Sequence, residues 1–178
     1  MLGKFPRVTL ITGGARAGKS RYAERLMSAR PARHAVVATG VAGDAEMAAR
    51  IARHKAERDP GWEVIEQSIS VRAAVRNAAR PDRVVLLDCL TLWISNLMGE
   101  RRDIEAEVEG LVGTLRNAAG PVIVITNEVG LGIVPDNAPA RAYRDHLGRA
   151  NQSVAAAADC VLLMTAGIPL ALKGELPR

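Results

Sequence analysis

RVTLITGGARAGKSRYAERL, Arg7 to Leu26, decides how the rest of the chain is read. An apolar run ends in a loop crowded with small residues, and that loop opens onto a stretch whose spacing predicts a helix. Gly13, Gly18, Lys19 and Ser20 satisfy G-x-x-x-x-G-K-[ST], in the strand, loop and helix context that gives the pattern its meaning. Glycine admits backbone conformations and close approaches that a side chain would block. Successive N–H groups from Gly13 through Gly14, Ala15, Arg16, Ala17 and Gly18 can therefore point into a phosphate. The helix adds its positive N-terminal end. Lys19 is expected to reach the β- and γ-phosphates of a nucleotide, and the Ser20 hydroxyl to ligate Mg2+.

Outward from this loop, apolar runs bounded by turn signals recur: Arg7 to Thr12, His34 to Thr39, Trp62 to Glu66, Arg83 to Asp88, Pro121 to Thr126 and Cys160 to Thr165. Several are continuous Val, Ile and Leu, as expected of strands covered on both faces. Helical spacing fills the gaps over Ser20 to Arg30, Asp44 to Asp59, Val71 to Arg80, Ile104 to Ala118 and Ala140 to Ala157. Strand alternating with helix predicts an α/β fold with a mainly parallel sheet and helices on both faces, P-loop NTPase-like and of the RecA-like kind. Right-handed crossovers then bring the strand C-termini to one ligand-binding edge. The tail IPLALK is expected to add a short edge strand. With no repeat, low-complexity tract or linker, 178 residues read as one catalytic domain spanning 1–178.

Composition narrows the function. Hydrophobic content of 48% with 24% charged residues is that of a globular protein, and no apolar run is long enough to insert in a membrane. The start of the chain reads as a first strand rather than a leader, so a cytoplasmic location is expected. Cys89 and Cys160 have no C-x-x-C partner and read as small buried residues in a reducing compartment. The net charge of +5 invites a nucleic-acid reading, but the cations are scattered among Glu and Asp and aromatics amount to 3%. With few rings for base stacking, no nucleic-acid partner is expected.

A P-loop nucleotide needs a second carboxylate on the metal side, and Asp88, closing VVLLD, has that form; it can equally be a turn aspartate after a strand. Glu128, in TNEVG, should reach the same edge, where it would accept a hydroxyl proton in phosphoryl transfer or simply bond a loop amide. His54 lies on a helical stripe with Met47, Ile51 and Arg58, which suits a histidine at the margin of a core. Yet Arg50, Arg53, Lys55 and Arg58 surround it. Such cations disfavour protonation of an imidazole, leaving a neutral nucleophile, and would neutralise a polyphosphate brought to it.

GGARAGKSRYAE, EMAARIARHKAER, LLDCLTLWISNL, TNEVGLGIVP and RAYRDHLGRANQSVAAAAD, in order from Val8 to about Gly167, resemble the bifunctional adenosylcobinamide kinase and adenosylcobinamide-phosphate guanylyltransferase of cobalamin biosynthesis. The P-loop is common to many proteins; its combination with R-I-x-x-H-K and TNEVGxGIVP is far more specific. The resemblance implies two reactions. A nucleoside triphosphate, ATP or GTP, phosphorylates the aminopropanol hydroxyl of adenosylcobinamide; GTP then donates GMP to that phosphate, through a guanylylated histidine, releasing pyrophosphate and giving adenosylcobinamide-GDP. The matching histidine is His54. It further implies nucleotide contacts at Gly13 to Ser20, at Ala38, Thr39 and Gly40, at Lys55, Ala56, Glu57 and Arg58, and at Glu66 and Asp88. A carboxylate that accepts from both guanine N1–H and its amine would select GTP, and Glu66 is the candidate for that or for the ribose. A homotrimer is also implied. Two positions depart from the family pattern: Ala17 stands where many members have serine, and Arg53 where many have a second histidine. From the residues alone, two other readings stay open: a P-loop kinase without guanylyl transfer, and a nucleotide-dependent switch.

Overall fold

A computed structural model of the chain describes residues 5–57 and 59–177, with the side chains of Arg50, His54 and Glu57 outside the description. Strands and helices alternate in the order β1 (Val8–Gly13), α1 (Lys19–Ser28), β2 (Arg33–Ala38), α2 (Ala45–Glu57), β3 (Glu63–Glu66), α3 (Val71–Ala78) and β4 (Arg83–Asp88). The remainder is α4 (Leu90–Gly99), α5 (Ile104–Arg116), β5 (Val122–Ile125), α6 (Ala138–Ala157), β6 (Cys160–Thr165) and β7 (Ile168–Lys173). The strands form one seven-stranded sheet in the order β3-β2-β4-β5-β1-β6-β7, parallel throughout except for β7, which runs antiparallel to β6 at one edge.

The central strands are uninterrupted aliphatic runs because both of their faces are covered. Val84 to Leu87 and Val122 to Ile125 are buried along their whole length. One face packs against α3, α4, α5 and α6 through residues such as Val75, Trp93, Leu111 and Leu147. The other packs chiefly against α1, through Tyr22, Ala23, Leu26 and Met27. Side-chain caps start the later helices: Asp103 accepts from the Ala106 N–H at α5, and Asn137 from the Ala140 N–H at α6.

Five expected helices and seven expected strands are present, with ends differing by at most two residues. The tail strand is β7. One helix was not expected from the spacing: LTLWISNLMG forms α4 directly after β4, with Leu90, Trp93, Ile94 and Leu97 fully buried. Each such side chain contributes roughly 1.5–3 kcal/mol of apolar burial, so α4 is part of the core rather than a surface connection.

Candidate active site

The five strand ends β2, β3, β4, β5 and β1 all present their loops on one edge of the parallel sheet. The P-loop is built first. Gly13 ends β1 with φ 141°, and a Cβ there would run into the Met164 carbonyl of β6. Gly18 caps α1 with φ 95°, and a Cβ there would press on the Gly167 α-carbon in the β6–β7 turn. Arg16, at φ 60°, also takes a left-handed conformation. Alternation of this kind turns consecutive N–H groups into one concavity, the geometry that receives an anion. The Gly167 N–H donates to the Ala17 carbonyl at 3.1 Å, so the last hairpin of the sheet supports the loop from below. Lys19 is buried, its ammonium folded over the loop and donating to the carbonyls of Gly13 (2.8 Å) and Gly14 (2.6 Å). These are oxygens it can exchange for those of a phosphate.

Beside the P-loop opens a cleft of about 210 Å³. Ser20 of α1, Asp88 of β4 and Glu66 of β3 line it, with Ala38 and Gly40 at its floor and Met47, Ile51 and Lys55 of α2 along its other wall. Lys55 and Glu66 form an ion pair across its mouth, and the bond from the ammonium holds the Glu66 carboxyl below its ordinary value. Ser20 and Asp88 are two hard oxygen donors facing one space, a set that suits Mg2+, which takes one or two protein oxygens beside phosphates and water.

Other expected site residues divide. Gly14, Ala15 and Arg16 are exposed on the loop, whereas Ala17 and Gly18 are half-buried. Ala56 is exposed on α2. His54 follows Ile51 by three positions on α2, with its side chain, like that of Glu57, outside the described residues; Arg58 lies outside them altogether. Thr39 is fully buried and committed to the protein. Its hydroxyl bonds the Cys89 N–H and carbonyl at 2.8 Å each, and its own N–H donates to the Asp88 carbonyl at 3.0 Å. What Thr39 contributes is the shape of the floor. Glu128 stands next to the P-loop: its N–H donates to the Gly13 carbonyl at 3.1 Å, and one carboxylate oxygen accepts from the Gly130 N–H at 2.6 Å. Neither of the two other histidines lines the cleft. The His34 ring packs 5.1 Å from that of Trp62, just before β3, and His146 sits on α6.

Cleft residues that sequence reasoning missed are Ala42, Cys89 and Leu92, together with Met47 and Ile51, which it placed only on the apolar stripe of α2; behind Cys89 and Leu92 stands the polar side of α4. Asn96 donates to the carbonyls of Thr39 (2.8 Å) and Ser68 (3.1 Å), and the Trp93 indole to that of Ile69 (2.8 Å). The Thr91 hydroxyl accepts from the Asn127 N–H at 2.9 Å, and its carbonyl from the Tyr143 hydroxyl at 3.2 Å. Burial pushes the Tyr143 phenol up to about 12, keeping it a donor. Thr91, Ser95 and Asn96 stand out in the sequence as the polar residues of an otherwise apolar run, the one signal that could have found Thr91 and Asn96. A larger hollow of about 570 Å³ between α5 and α6, lined by Val108, Val112 and Ala150, touches none of the expected nucleotide-site residues.

Comparison with known proteins agrees with this geometry. RadB recombinase, at 16% identity, superposes with a TM-score of 0.53 over 99% of this chain and 86% of its own, so the fold is that of the RecA-like P-loop NTPases. Among sequence relatives, the bifunctional adenosylcobalamin biosynthesis protein CobP of Pseudomonas aeruginosa is 41% identical, covering 93% of this chain and 97% of that protein. The protein CobU of Salmonella typhimurium, described in the same words, is 40% identical, covering 92% of this chain and 98% of its own. The cobinamide kinase / cobinamide phosphate guanyltransferase profile matches residues 9–172, and the chain belongs to that family of enzymes.

Proposed function

We propose that one cleft carries out two successive transfers on a cobinamide: phosphorylation by a nucleoside triphosphate, then transfer of GMP from GTP to the new phosphate. The observation that carries this reading is the convergence of Ser20, Lys55, Glu66 and Asp88, from four different elements, on one space beside the P-loop. In the first reaction the aminopropanol hydroxyl oxygen attacks the γ-phosphorus, the bond to the β-phosphate oxygen breaks, and a nucleoside diphosphate leaves. The P-loop N–H groups and Lys19 stabilise the charge that builds on the phosphate oxygens. Glu128 accepts the hydroxyl proton on the oxygen not committed to Gly130. Ser20 and Asp88 would hold Mg2+, which supplies charge neutralisation between phosphates.

In the second reaction an imidazole nitrogen of His54 attacks the α-phosphorus of GTP, and the bond to the β-phosphate oxygen breaks to release pyrophosphate. The cobinamide phosphate oxygen then attacks the same phosphorus, the P–N bond breaks, and imidazole is restored with cobinamide-GDP as product. The Lys55–Glu66 pair is exchanged for ligand contacts, Lys55 to phosphate and Glu66 to guanine or ribose. Gly13 to Ser20, Ala38 to Gly40 and Lys55 to Arg58 complete the nucleotide surround. The corrinoid substrate is adenosylcobinamide, ATP and GTP both serve the kinase step, and the single domain of residues 1–178 works as a cytoplasmic homotrimer without a nucleic-acid partner. Among the described residues, no helix is long and apolar enough to cross a membrane.

The test is intact-protein mass after incubation with GTP and Mg2+ but no corrinoid. Wild type is expected to gain one acid-labile GMP, and His54→Ala none. An unmodified wild type that still binds GTP would reduce the chain to a kinase.

A further inference from the structure

Helix α4 meets nearly every loop on the ligand edge, and its hydrogen bonds fall into two groups. Toward β5, Thr91 receives the Asn127 N–H, while Asn151 of α6 donates to the Asn127 carbonyl at 3.0 Å. Asn127 is thereby gripped at both backbone polar atoms, and the next residue is Glu128, bonded to Gly13 at the P-loop. Toward β2 and β3, Asn96 uses both N–H bonds of its amide, one on Thr39 and one on Ser68. Thr39 precedes Gly40, where an added Cβ would touch the Ile51 side chain of α2, and Ser68 follows Glu66 by two residues. Between the two groups α4 starts beside Asp88.

On the two-reaction reading above, these groups lead to different chemistry. The Thr91 bonds end at the proton acceptor for phosphoryl transfer. The Asn96 bonds end at the root of the helix that carries His54 and at the carboxylate offered to guanine. We propose that α4 is the brace shared by both reactions, with Thr91 a positioning residue for cobinamide phosphorylation and Asn96 a positioning residue for guanylyl transfer. The physical warrant is satisfaction. Each bond ties a backbone group of a strand-end loop to a helix that cannot move without disturbing the core, and removal of its partner releases that loop alone.

The experiment measures both activities in each variant: phosphate transfer to cobinamide, and GMP transfer from GTP to cobinamide phosphate supplied directly. Thr91→Val keeps the shape and removes the acceptor; Asn96→Asp keeps the shape and removes both donors, with Asn96→Ala as a second variant. A misfolded fraction lowers both activities by one factor, so the ratio reads positioning even in a poorly folded preparation. Thr91→Val is expected to lower the kinase activity about tenfold relative to guanylyl transfer, Thr91→Ser to restore it, and both Asn96 variants to shift the ratio about tenfold the other way. Parallel loss of the two activities, or no loss, in a protein whose wild type performs both would overturn the division alone. A wild type with one activity only would overturn it together with the reading beneath it.

Discussion

The P-loop and helix α2 face each other across one cleft, and they are held in opposite ways. The loop is fixed from every side: Gly13 lies against the Met164 carbonyl, Ala17 is bonded to Gly167, and Lys19 is folded onto two loop carbonyls. Helix α2 rests on the half-buried Met47 and Ile51 and on the surface pair Lys55–Glu66, with Ala45, Ala48, Ala49, Ala52 and Ala56 exposed along it. A phosphate site needs donors set before the ligand arrives, because reorganising them would consume the stabilisation they give. A group that attacks the α-phosphate and afterwards faces a second substrate needs room to change position. The difference suits a fixed mould working with a lightly attached arm.

Substitutions at the mould should have the larger effects. Lys19→Ala removes the principal cation of the loop and is expected to lower both transfers by a factor on the order of 10² to 10³, as read by steady-state kinetics. Gly13→Ala places a methyl group against the Met164 carbonyl at a φ that only glycine accepts readily, and should cost about 1–3 kcal/mol, measured by urea unfolding. On the arm, Ile51→Ala should slow His54 guanylylation about tenfold while changing unfolding free energy by less than about 1 kcal/mol, because Ile51 is only half-buried. Equal losses in both reactions would erase the contrast.

The smallest effect belongs to the pair at the mouth. Its partner ammonium lowers the Glu66 carboxyl pKa, so the pair's contribution is present above the ordinary carboxyl value of 4.5 and is lost as pH falls through the lowered one. Carbon-detected NMR titration of Glu66 should therefore report a pKa below 4.5 that rises toward it in Lys55→Met. With both side chains about half exposed or more, salt should weaken the pair as well.

Much of this was legible in the chain. The strand, glycine loop and helix around Gly13 to Ser20 follow from local conformational demands, and the buried strands from unbroken aliphatic runs. Helix α4 was not, because CLTLWISNL follows the β4 run without a turn residue and is apolar nearly all round, leaving no period to separate helix from strand. Its polar contacts were hidden for a different reason. Thr91, Trp93 and Asn96 bond loops distant in sequence, and no local pattern records a tertiary partner. The Asp88, Glu66 and Lys55 side chains could be named from the sequence, but the ion pair that joins two of them across the cleft could not.

Strand β1 has only two neighbours, β5 and β6, with Val8 opposite Val122 and Thr9 opposite Cys160. During synthesis the strand that carries the nucleotide loop is thus among the first to emerge and among the last to find a place, since its pairing surfaces come from the final third of the chain. The support under the loop arrives later still, with the turn at Gly167. Such distant pairing makes loop closure a late and slow event in folding. A nascent chain that has not yet released β6 and β7 can collapse around β2, β3 and β4, yet it has no finished seat for a triphosphate. Nucleotide binding in this protein therefore reports completion of the whole sheet.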